Sequence, residues 1–229
     1  MSEKFDSIKE SLLTKACLKQ DVYAVTKQVF SDLNQVLGEV TNEMRDFISP
    51  SDSRVSIELS STGVCESYLT MAGDTVIFHM HTNVFSFPES HMIHRNGYVS
   101  KNPENAYCGV INIYNFLTDS FRFNRMNDYG YMVGRIFVNK DQHFFVEGKK
   151  QLGFLYNDFG SAVLDKAALR DIVETALKHV IEFDLLTPPY DKVNIVSVDD
   201  VKQLSQNLKL KTGKRLGFRF ESDENEVEF

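Results

Sequence analysis

The 229-residue chain has no tryptophan, only five prolines and only three cysteines. Cys17, Cys65 and Cys108 are odd in number, scattered, and never spaced C-x-x-C, which excludes a disulfide framework and a cysteine-rich zinc site. No stretch approaches the ~18 consecutive apolar residues of a membrane span, so no membrane partner is expected. The opening MSEKFDSIKE alternates charge and lacks the apolar core of a secretory signal. No N-x-S/T acceptor site occurs either. Together these absences predict a cytoplasmic protein with reduced thiols.

An excess of positive charge is also missing. The chain carries 25 basic and 32 acidic residues, a net charge of −7, which makes nucleic acid an unlikely partner for the domain as a whole. The local signatures of common enzymes are absent as well. There is no G-x-x-x-x-G-K-S/T, no G-x-G-x-x-G, no G-x-S-x-G, no H-E-x-x-H and no EF-hand loop. What remains is an ordinary globular composition, 42% apolar and 25% charged, unusually rich in 18 Phe and 9 Tyr.

The pattern of apolar residues divides the chain into an N-terminal helical extension, 1–53, and an α+β domain, 54–229, forming one globular unit. Val22, Val25, Val29, Leu33, Val36, Leu37, Val40, Met44 and Phe47 recur at three- and four-residue steps, the stripe of an amphipathic helix. Asp21 suits its N-cap, Pro50 follows its end, and Phe5, Ile8 and Leu12 suggest a shorter helix before it. A helix that long exceeds what a small sheet needs as cover, so a homodimer through the Val22–Phe47 helix is expected.

Residues 54–160 read as an antiparallel sheet. Strands are predicted over Arg54–Ser60, Cys65–Met71, Thr75–Phe87, Tyr107–Leu117, Ser120–Arg125, Gly130–Asn139, His143–Gly148 and Leu152–Tyr156. Residues 88–106 read as a long polar loop. A tight Lys140-Asp141 turn sets Val138 opposite His143 and Ile136 opposite Phe145, and both faces of this hairpin are apolar enough to need cover. Beyond it, Asp165 caps a helix reaching about Leu186, with Leu169, Ile172, Val173, Ala176, Leu177, Val180 and Ile181 inward. A strand over Lys192–Val198, a helix opened by Ser197-x-x-Asp200 and a strand over Gly217–Phe220 complete the reading. Strands in the middle flanked by helices indicate α+β, a mainly antiparallel sheet covered by helices.

Three clusters carry candidate chemistry. In the first, His79 and His81 share one face of a strand, where two neutral imidazoles can chelate a divalent transition metal. His91 and His94 follow in the polar loop and are expected to be exposed. Gly73-x5-His79-x-His81 resembles the opening half of the cupin metal motif, over nine residues. That resemblance implies a mononuclear metal-dependent enzyme. In that family a Glu follows after three or four residues, whereas here Glu89 follows after seven. Counted from Gly97, the second half has Pro103 and Asn112 in place, but Asn105 and Cys108 stand where Gly and His belong.

The second cluster is Arg122, Asn124, Arg125 and Tyr131 among interleaved aromatics. It suits a pocket for a small anionic ligand or a protein-contact face, because Arg pairs with carboxylate or phosphate and rings supply apolar area. The third is basic, Lys209 to Arg219, followed by an acidic tail. It reads as a solvated hairpin or as a contact surface gated by the tail. Asp128, Asp141, Glu147 and Asp158 read as turn or strand-end carboxylates, and Cys108 as a buried core thiol. The first expectation is therefore a non-catalytic ligand-binding or protein-interaction module with no cofactor. The metal enzyme is the alternative.

Overall fold

The computed structural model describes residues 2–184 and 189–198. The first helical stretch begins at Glu3 and does not break until Ile48. It comprises α1 (Glu3–Ser11), a π-helical segment (Leu12–Ala16) and α2 (Cys17–Ile48). No Gly or Pro falls between residues 2 and 37, so nothing stops the helix at Asp21. The expected N-cap there lies inside a continuous helix, and Pro50 follows its true end.

The sheet is a six-stranded antiparallel meander in sequence order: β1 (Ile57–Ser61), β2 (Glu66–Met71), β3 (Asp74–Met80), β4 (Gly109–Leu117), β5 (Tyr131–Val138) and β6 (Phe144–Gly148). With the helices, this is the α+β architecture that the pattern predicts. One face lies beneath α2 and α5 (Lys166–Ile181). Val29, Leu33, Val36, Leu37 and Val40 of α2 meet Leu69, Val76, Phe78, Ile111, Ile113 and Ile136 of the sheet and Leu169, Ile172 and Val173 of α5. Of the stripe, part of which is expected to face a second subunit, Val29 to Val40 is buried against the chain's own sheet. Phe47, at its end, is exposed. Thr26 and Thr41 join the buried face because their hydroxyls donate to the Val22 and Leu37 carbonyls, at 2.7 and 2.6 Å. Arg170 of α5 forks onto Glu43 of α2 at 3.0 and 2.5 Å, and Lys166 reaches Gln35 at 2.6 Å. Asp165 caps α5 as expected, accepting from the Ala168 N–H at 2.8 Å. The helix stops at Ile181, which is exposed.

Among the described residues, the opposite face is covered at its two ends, by residues 88–106 and by Phe121. Over β4–β6 lies residues 88–106, expected as a loop but built as three short helical turns: Met92–Arg95, α3 (Gly97–Lys101) and Pro103–Ala106. Each is capped by a side chain two residues ahead of the N–H it binds: His91, Asn96 and Asn102. Ile93, Val99 and Ala106 pack there with Val110, Phe137, Phe145 and Phe159 in a second core. Tyr98 fastens it down. Its hydroxyl donates to Asp141 at 2.6 Å and accepts from Asn139 at 3.0 Å, and its ring stacks on His143 at 4.5 Å. Both faces of the β5–β6 hairpin are therefore covered, as its composition requires. Its register is one residue off the expected one: Phe144 pairs with Val138 and Val146 with Ile136. Gln142 takes φ +61°, lengthening the turn to three residues.

Two expected strands are helical. Residues 120–125 contain the end of α4 (Thr118–Arg122) and a turn, and the 3-10 turn Lys150–Gly153 runs into the start of 152–156. Where a strand over 192–198 is expected, the end of α6 (Tyr190–Val193) stands at its start instead. The basic cluster 209–219, the acidic tail, the helix from Ser197 past Asp200 and the strand 217–220 lie outside the described residues. Among the described residues, no helix is long and apolar enough to cross a membrane.

Candidate functional site on the open sheet face

Between the two covered ends, five adjacent strands each place one polar residue in a single cross-strand row. Register aligns Glu66 with His79, His79 with Asn112, Asn112 with Arg135, and Arg135 with Glu147. All five point away from the helices, since alternate residues on the same strands (Val76, Phe78, Met80, Ile111, Ile113, Ile136 and Val146) form the core. At each end of the row the groups are linked. Arg135 donates through Nε to Glu147 at 2.7 Å, while its guanidinium lies 5.1 Å from the Phe137 ring centroid. His91, the cap residue, brings Nε2 to 3.6 Å from the same Glu147 carboxylate. At the other end His79 Nε2 lies 3.7 Å from Glu66, which also accepts from the Tyr68 hydroxyl at 3.0 Å. Burial and the adjacent Glu66 carboxylate push the Tyr68 phenol above its ordinary range.

Aromatic side chains border this row. Tyr68 meets Phe121 of α4 edge-on at 5.9 Å, and His81 meets Phe85 at 4.7 Å. Phe87 lies against His91 at 4.6 Å. Phe85, Phe121 and Met132 are partly exposed. The band thus combines ionic groups at about one-third exposure with apolar rims.

The structure places His79 and His81 on one side, as the strand spacing predicts, with ring centroids 6.4 Å apart. His81 Nδ1 accepts from the Asn83 N–H at 3.0 Å. Among the described residues, no group of three or more His, Cys, Asp or Glu converges to hold a metal. His91 and His94, expected in solvent, are partly buried, and His94 Nε2 lies 3.2 Å from the Phe87 carbonyl. Arg122, Asn124 and Arg125 do come together, but around a ring and not along a strand. Both guanidinium groups flank Phe123, at 5.6 and 4.9 Å, with Asn124 between them at φ +50°. Tyr131 is apart from them. It turns toward α5, with Phe183 at 4.8 Å and His179 at 6.2 Å. Asp128 accepts from Ser120 and Asp141 from Tyr98, the turn roles expected of them. Cys108 is fully buried, and burial pushes its thiol far up.

The row itself was missed by local motifs. Counting outward from the Ala72-Gly73 turn puts Glu66 opposite His79, so that pair was within reach of the sequence. Comparison with protein-family models, curated proteins and solved structures finds no match.

Proposed function

We propose that the protein is a non-catalytic binding module that contacts a protein partner through the open face of its sheet. The observation that carries this reading is the cross-strand row Glu66–His79–Asn112–Arg135–Glu147, ion-paired at each end, with its partly exposed aromatic rim. Arg and aromatic residues are the anchors that protein interfaces favour. The row is acidic at both ends, with the Arg135 guanidinium inside it, which suits a polypeptide of mixed charge and disfavours a phosphate backbone. The strongly perturbed groups support binding over catalysis. Tyr98 and Tyr156 are pushed up to about 12 by burial and by their hydrogen bonds to Asp141 and Asp171, and both are engaged in packing.

Site-specific photo-crosslinking inside cells tests the reading. A crosslinking residue at Phe85 is expected to give a discrete adduct, and one at Glu174 on α5 none. Arg135→Glu in the same chain is expected to abolish the adduct without unfolding the protein, because an exposed ion pair contributes at most about 1 kcal/mol. An adduct that survives Arg135→Glu refutes the reading.

A further inference from the structure

On the other side of the molecule, a compact loop and the end of α5 line a basic cavity of about 110 Å³ that is partly open to solvent. The loop is Gly148-Lys149-Lys150-Gln151-Leu152-Gly153, and its shape is strongly constrained. Leu152 is fully buried in the main core. A Cβ on Gly153 would stand 2.5 Å from the Gly148 carbonyl oxygen, and one on Gly148 would stand 2.7 Å from Leu152 Cβ. Only glycine permits that closure. The Lys149 N–H donates to the Val133 carbonyl at 3.1 Å, tying the loop to β5. Lys150 sits at φ +49°, a conformation that side-chain-bearing residues rarely adopt.

Lys149 and Lys150 thus meet Thr175, Lys178 and His179 from α5 around one cavity, with Glu182 as its single carboxylate. Lys178 lies 3.8 Å from Glu182, while Lys149 and Lys150 form no ion pair among the described residues. Cations in the last turn of a helix offset its dipole, which is worth about half a charge. That accounts for Lys178 and His179. It does not account for two further lysines brought in on a separate, constrained loop. Three ammonium groups outweigh one carboxylate and half a dipole charge, in a chain whose net charge is −7. His179 adds a neutral polar group. Its Nδ1 is shut off from solvent with no hydrogen-bond partner among the described residues, and burial holds the ring below its ordinary pKa.

We infer that this cavity binds a phosphate group, held by Lys149, Lys150 and Lys178. Its volume admits a tetrahedral oxyanion but falls well short of the ~300 Å³ at which pockets begin to enclose drug-sized ligands. Lysines act as point charges from several directions, which suits a compact oxyanion of high charge. A planar carboxylate is better met by the arginine fork, which this site lacks. The phosphate is either free or the terminal group of a larger molecule.

Calorimetric titration of the full chain at low salt tests the assignment, with inorganic phosphate, a simple phosphate monoester and citrate as probes. Binding of phosphate or the monoester at about millimolar concentration is expected. Lys150→Gln and Lys178→Gln are each expected to weaken it about tenfold, as loss of a charged contact does. Lys150→Arg is expected to retain it, and Arg135→Gln, on the open sheet face, to leave it unchanged. Preference for the monoester identifies a terminal phosphate, and preference for inorganic phosphate identifies the free ion. Tighter binding of citrate than of either, equal binding by the lysine variants and the parent, or no binding at millimolar concentration overturns the assignment.

Discussion

Asn139 offers the sharpest test of how the second core is held. It is fully buried at the β5–β6 turn and makes four hydrogen bonds. Its Nδ2 donates to the Tyr98 hydroxyl and the Asn105 carbonyl, at 3.0 and 3.3 Å. Its Oδ1 accepts the Asp141 and His143 N–H groups, both at 3.0 Å. Asn139→Ala removes all four. Each bond contributes about 1 kcal/mol net, and part of the loss returns through water reaching the exposed turn, so about 3 kcal/mol is expected. For a domain of this size that lowers Tm by about 6–12 °C. Urea unfolding followed by far-UV circular dichroism reads the loss, and tyrosine fluorescence serves as a second probe because no tryptophan competes with it. Tyr98→Phe, which deletes two bonds, is expected to cost about 1–2 kcal/mol and to add incompletely to Asn139→Ala, since the two share a contact. Hydrogen exchange is expected to show 88–106 losing protection before α2. A loss below about 1 kcal/mol for Asn139→Ala, or uniform loss of protection, refutes the clasp.

Phe78→Ala, which empties a fully buried site beneath both helices, is expected to cost about 3–5 kcal/mol in the same urea assay. Tyr98 and Tyr156 are expected to ionise near 12 in a spectrophotometric titration, later than an ordinary tyrosine at about 10. Because the folded state holds these protons more tightly, their contribution to stability is intact below about pH 10 and declines as pH rises toward 12. An increase in stability over that interval contradicts the assignment. A thiol reagent is expected to modify exposed Cys17 first, and Cys108 only on unfolding, with mass spectrometry of the labelled peptides as readout.

The sequence disclosed the long helices because their apolar residues fall at three- and four-residue steps and because Asp165 offers an unambiguous cap. It misled at 120–125 because Arg122 and Asn124 alternate with Phe121 and Phe123 as strand residues do. There the aromatic rings instead fold back from a helical turn, Phe121 onto Tyr68 and Phe116. The helical turns of 88–106 were hidden for another reason. Four or five residues are too few to show a period, and only the caps His91, Asn96 and Asn102 mark them. The hairpin slipped by one residue because a non-glycine, Gln142, takes the left-handed conformation. His79 and His81 were correctly placed on one side, yet the row through them depends on four successive registers. The basic cavity was beyond reach, since Lys149 and Lys178 meet only once α5 has packed on the sheet.

The meander has a further consequence for how this chain is made. Every strand pairs with its neighbour in sequence, so the sheet can zip up hairpin by hairpin as it leaves the ribosome. Its inner face stays half covered until α5, near the end of the described chain, arrives beside α2. During synthesis, a nascent chain that ends before α5 leaves the part of this core that α5 completes uncovered on a preformed sheet. Transiently exposed apolar surface of that kind is prone to aggregate.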